Sequence, residues 1–248
     1  MKFILMLALI AAPTLAAPQA SEVGRYQVCL ALVKSAPERA VETAQAWRIE
    51  NGGIPALHCL ALAQFARQDY SSALASFEKA IQGSLAAHDG KAVTILSQAA
   101  DAAMLAGQPA SAIAFLDTAI AGPGGISLSP RAEASLRVTR AEALVDLKRE
   151  KAAANDLDTA TKLDPDVPFG WLLKATLARR MGDFRTAEAA ILAAATRDAD
   201  SADIQYEAGN IAAAQGNDQL ARTAWMAAAR ADPDSPAGKA ANKALIGD

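Results

Sequence analysis

The sequence predicts an all-α chain folded as an α-solenoid of about six helix-turn-helix repeats with a further helix at the C-terminus, and three observations carry that expectation. Residues 168–201 and 202–235 are two consecutive segments of 34 residues that fit one template. Sixty-three of the 248 residues are alanine and only 5% are aromatic, which favours closely packed helices over sheets. Gly182-Asp183 and Gly216-Asn217 fall midway through the two segments, where a residue free to take positive φ can end one helix and turn into the next.

Within the template a small residue (Ala175, Gly209) is followed twelve positions later by an alanine (Ala187, Ala221). A large apolar residue comes next (Ile191, Trp225), then another alanine (Ala194, Ala228). Small residues where two helices cross let the backbones approach, and the bulky residue fills the space beside them. This spacing resembles the tetratricopeptide repeat (TPR) family, with Trp171 and Pro233 at the family's tryptophan and closing proline. Lys174 and Ala208 depart from its usual leucine. The resemblance implies a right-handed superhelix in which each unit packs on its neighbours.

From the N-terminus, residues 1–16 read as a secretory signal peptide, with cleavage possible up to residue 20. Lys2 precedes an apolar run from Phe3 to Ala12, Pro13, and a small-x-small site at Thr14-Leu15-Ala16. No cysteine follows the small residues, so a lipid anchor is not expected, and the chain is expected to be periplasmic or secreted. The array is expected over 21–236, in units near 21–53, 54–87, 93–126, 134–167, 168–201 and 202–235. Their small positions are Val28, Ala40 and Trp47; Ala61, Ala73 and Ala80; Ala100, Ala112 and Ala119; Ala141, Ala153 and Ala160; then those of the last two units. Sixteen of the eighteen are alanine or glycine, far more than one alanine in four would supply, although the first unit is eroded. The bulky position falls to Ala44, Phe77, Leu116, Leu157, Ile191 and Trp225.

Helices are expected near Val23–Lys34 and Glu38–Glu50, with Pro37 opening the second. Gly83 to Gly90 is a loop or an extended helix end, and Gly122-Pro123-Gly124-Gly125 interrupts the array as a candidate hinge. Ser129-Pro130 reads as an N-cap and first-turn proline. Ser235-Pro236 opens a last helix, so 237–248 is expected to be a capping helix and tail.

Several function classes are disfavoured. A net charge of −3 leaves no basic footprint for nucleic acid. Beyond the N-terminus no stretch of 18 residues is apolar and free of charge, so membrane insertion after signal cleavage is not expected. The two histidines, His58 and His88, form no HExxH pair; no GxSxG elbow occurs, and Gly83 to Lys91 has the wrong spacing for a phosphate loop. Asp198, Asp200 and Asp203 lack the glycine and terminal glutamate of a calcium loop and read as helix-end carboxylates. The expectation is a non-catalytic protein with no cofactor and no metal.

The resemblance sets Cys29 and Cys59 on the first helices of adjacent repeats, which stand side by side in a TPR stack. They are expected either as a disulfide, closing a loop of about 30 residues and worth roughly 3.5 kcal/mol by chain entropy, or as two buried thiols. It also implies a concave groove lined by the first helices, the surface where TPR proteins commonly bind an extended peptide or a partner helix. The candidate groove residues are Ser97, Asp101 and Met104; Val138, Glu142 and Val145; Leu172, Thr176 and Arg179; and Tyr206 and Asn210. The expected role is a scaffold for a protein or peptide partner in assembly or maturation of an envelope complex, with self-association as the alternative. The lysine-and-asparagine carboxylate clamp of some TPR proteins is not visible, since only Asn210 matches it.

Overall fold

The computed structural model describes residues 21–247; the expected signal peptide lies outside the described residues. Thirteen α-helices are present among them: α1 (Glu22–Ser35), α2 (Pro37–Ile49), α3 (Gly53–Ala66), α4 (Tyr70–Ala87), α5 (Ala92–Leu105), α6 (Pro109–Ile120), α7 (Pro130–Asp146), α8 (Glu150–Leu163), α9 (Pro168–Arg180), α10 (Phe184–Ala195), α11 (Ala202–Ala214), α12 (Asp218–Ala231) and α13 (Pro236–Ile246). Each odd-numbered helix through α11 packs on the even one after it, and each pair packs on the next, which makes an α-solenoid closed by α13 against α11 and α12. No described helix is long and apolar enough to cross a membrane.

Local signals start the helices. Ser21, Asp69, Ser129, Asp183, Ser201, Asn217 and Ser235 each accept a hydrogen bond from a first-turn backbone N–H, which satisfies a donor that the helix itself leaves free. The turns inside five of the pairs place one residue at positive φ, at Gln68, Gly107, Lys148, Gly182 and Gly216. Three are glycine, but Gln68 and Lys148 carry a Cβ into the left-handed region, which is unfavourable for an L-residue. The Gly83 region is helical, because α4 runs on to Ala87 and stops at His88 in left-handed conformation.

The alanines at the helix crossings are sealed. Ala61, Ala73, Ala80, Ala100, Ala112, Ala119, Ala153, Ala175, Ala187, Ala194 and Ala228 are fully or almost fully inaccessible. Around them Phe77, Ile95, Leu116, Leu136, Leu144 and Leu157 form a core that continues from α3 to α9. It crosses the short 3-10 turn at Pro123–Gly125, where the hydrogen-bonded pair Arg140–Asp117 (2.6 Å) also spans α6 and α7. Asp156, 4% exposed, is held by Arg137 at 3.0 Å and Arg140 at 2.6 Å, so its buried charge is compensated on two sides. Lys174, which breaks the leucine pattern, reaches Asp158 at 2.7 Å and lies over the Trp171 ring, so its stem still packs.

The first pair departs from the template. Val28, set in the small-residue register, is 58% exposed, and its neighbour Cys29 is buried in its place, so the inward face of α1 is displaced by one residue. Trp47, also in the small register, is instead the bulky residue, buried one turn beyond Ala44. Gly52 makes this possible: a Cβ there would run into the indole ring. Cys29 and Cys59 are joined by a disulfide between α1 and α3, with Cα atoms 6.3 Å apart, among Ala40, Val41, Ala44 and Leu60.

Candidate functional site

The first helices of three successive pairs, α5, α7 and α9, surround a cavity of about 550 Å³. Met104, Leu105, Val145, Leu157, Leu173 and Leu177 make it apolar, while Asp101, Glu142 and Asp146 bring three carboxylates to it and Arg180 a single cation. Helical periodicity explains the set. Asp101 and Leu105 are four apart on α5, Glu142 and Val145 or Asp146 three or four apart on α7, and Leu173, Thr176 and Arg180 continue the stripe on α9.

The electrostatics are unbalanced. Burial by the surrounding concave walls pushes the Asp101 carboxyl above the usual carboxylate range, although the residue itself stays open to water. Glu142 is raised by burial first, then by repulsion from Asp101 and Asp146. Among the described residues, none of the three carboxylates has an ion-pair partner within 4 Å. Nor do three metal-ligating side chains converge closely enough anywhere among them to hold a metal ion.

The sequence-predicted residues divide into two groups. Asp101, Met104, Glu142, Val145 and Thr176 meet in this cavity. Val138 lines a smaller adjoining recess of about 250 Å³ with Glu142, Thr139 and Phe169. Leu172 packs against the core of the later repeats. Ser97 and Tyr206 are half-buried and outside the cavity lining. Arg179 and Asn210 spend their polar groups internally. Arg179 donates to both carboxylate oxygens of buried Glu207, at 2.6 and 3.2 Å, and Asn210 donates to Glu207 and accepts from Trp225 Nε1 at 3.1 Å. Leu105, Thr139, Asp146, Leu173 and Arg180 are lining residues that the sequence did not single out; their signal is the three- or four-residue spacing from Asp101, Glu142 and Thr176.

A second polar cluster shares α5 with this cavity and otherwise belongs to the first repeats. His58, 8% exposed, receives Tyr26 Oη at 2.8 Å on Nδ1 and meets Gln98 Oε1 at 2.5 Å through Nε2, an arrangement that suits the Nε2–H tautomer. Desolvation lowers its pKa and nearby Lys91 lowers it further, against the opposing hydrogen bond to Gln98. The cluster ties α1, α3 and α5 together beside the disulfide.

Against known proteins, residues 172–236 match the model of the tetratricopeptide repeat family. No curated protein matches the sequence. Among solved structures, PilW, a widely conserved type IV pilus biogenesis factor, is similar with a TM-score of 0.71 at 17% identity, over 90% of this chain and 99% of that one. Pseudomonas aeruginosa pilF gives 0.68 at 15% identity over 90% and 97%. YrrB, a TPR protein with an unusual peptide-binding site, gives 0.57 at 20% identity over 80% and 96%. The segment 172–236 is tetratricopeptide-repeat sequence, and the described chain carries the TPR fold.

Proposed function

We propose that the protein is an exported, non-catalytic TPR scaffold that holds a partner protein in its concave groove during assembly or maturation of an envelope complex. One observation carries the reading: three consecutive first helices converge on an open, apolar cavity at the place where a repeat array presents its groove. The lining hydroxyls, Thr139 and Thr176, donate to the backbone carbonyls of Ser135 and Leu172 in their own helices, and the largely apolar wall around them suits contact with a partner side chain. The disulfide between Cys29 and Cys59 supports an oxidising compartment, as does the N-terminal leader pattern. That a similar fold belongs to a type IV pilus biogenesis factor fits an assembly role.

The test is photocrosslinking in cells, with a photoreactive residue placed at Thr176 or Val145 inside the cavity and at exposed Lys34 outside it. A discrete heterologous adduct from the two cavity positions, absent from Lys34, is the expected result. Adducts between copies of this chain alone, or equal adducts from all three positions, overturn the scaffold reading in favour of self-association.

A further inference from the structure

We propose that the α5–α7–α9 cavity selects an extended peptide segment of the partner protein in which a large apolar side chain adjoins a lysine or arginine. The apolar side chain enters the floor formed by Met104, Val145 and Leu177, and the cation lies against Asp101, Glu142 and Asp146. This inference rests on the scaffold reading and specifies its occupant.

Size argues first. One turn of α-helix, about 10 Å across with a pitch of ~5.4 Å, fills roughly 400 Å³. The cavity of about 550 Å³ therefore seats little more than a single turn, whereas an extended strand crossing three helices can insert one or two side chains from alternate positions.

Charge argues next. Three carboxylates face an apolar floor, no ion pair among the described residues neutralises them, and Arg180 is exposed, so three acidic groups stand against one basic group in the lining. Ionised groups at the edge of a low-dielectric surface that repel one another are relieved by an incoming cation, and the same charges exclude an acidic segment. A free metal ion does not fit, because no three of the ligating groups converge. Other arginines of α7 and α9 are engaged elsewhere: Arg179 with Glu207, and Arg137 and Arg140 with Asp156.

The test uses the purified full chain and three fluorescein-labelled peptides carrying a benzophenone. One has a Leu-Lys-Leu-Lys-Leu core between Gly-Ser flanks, a second replaces lysine by glutamate, and a third replaces leucine by alanine. Fluorescence anisotropy gives affinity and photoadduct mapping gives location. The lysine peptide is expected to bind at least tenfold more tightly than either relative, to leave adducts on α5, α7 or α9, and to lose at least tenfold in affinity on Asp101→Asn with Glu142→Gln. Those substitutions are isosteric, and an unchanged circular dichroism melt shows that the fold is kept. Adducts in the cavity with no dependence on the peptide's charge or on the double substitution overturn the basic class and leave the scaffold reading standing. Adducts confined to other surfaces count against both. Absence of binding by the lysine peptide overturns this proposal, with the crosslinking in cells deciding the scaffold reading separately.

Discussion

The two ends of the array solve the same packing problem by different means. In the later repeats, α9 to α12, the small-residue register is kept: Ala175, Ala187, Ala194 and Ala221 are sealed, Gly209 lets the Trp225 ring lie against its backbone, and Arg179, paired with buried Glu207, adds a polar tie between α9 and α11. In the first pair the small-residue register is lost on α1, and the chain is held instead by the Cys29–Cys59 disulfide and by Tyr26, His58 and Gln98. A repeat with a neighbour on only one side receives half the interface energy, so the eroded first unit gains from a covalent tie that the repeats keeping the small-residue register do without.

The largest expected effect comes from breaking that tie. Cys29→Ala with Cys59→Ala removes a constraint on a loop of about 30 residues, worth roughly 3.5 kcal/mol. Hydrogen exchange should rise through α1 to α3 and stay unchanged in α9 to α12; uniform loosening of both ends would show that the array unfolds as one unit and that the contrast is not energetic.

Paired glycine substitutions sharpen the comparison. Gly209→Ala and Gly52→Ala each drive a methyl group into an indole, Trp225 in one case and Trp47 in the other, and each should lower stability by about 1–3 kcal/mol. Thermal melts of the two variants should fall alike, because both ends use a glycine to admit a tryptophan.

Acid should separate the ends again, more weakly. The His58 pKa is depressed in the fold, so the unfolded chain binds the proton more readily. The resulting stability is fully present above the ordinary imidazole pKa and is lost as pH falls through the depressed value. Exchange protection of α1 to α5 is expected to decline in mildly acidic buffer while α9 to α12 hold, and His58→Gln should remove the difference.

The smallest effect lies in the turns. Gln68→Gly relieves a left-handed glutamine and should stabilise by up to ~1 kcal/mol, whereas Gly182→Ala puts a Cβ at φ 77° and should destabilise by about 1 kcal/mol. A gain in denaturant midpoint for Gln68→Gly and a loss for Gly182→Ala are the expected readout; reversal of both signs would mean that unfolded-state entropy outweighs turn strain.

How much of this was legible follows from how local each feature is. The helix pairs, the capping serines and the sealed alanines could be read because periodicity and N-cap chemistry act within a few residues. Trp47 could not be placed, because its accommodation depends on Gly52 in the next turn as well as on its own register. Five of the candidate groove residues meet in the cavity, but Arg179 and Asn210, which the same periodicity selected, turn to Glu207 instead. A helical stripe says which residues share a face and leaves open which charges on neighbouring helices will claim them.

The sequence by itself determined the repeat unit, its small-residue crossings and its turn glycines, since each is set by spacing along the chain, and the family resemblance built on them implied a bridge between Cys29 and Cys59. Tertiary structure alone decided that His58, Tyr26 and Gln98 meet across three helices, and that Asp101, Glu142 and Asp146 face one apolar floor unpaired. Apart from Glu142 and Asp146, neighbours on α7, those groups lie tens of residues apart, and only the stacking angle and curvature of successive repeats bring them within reach of one another.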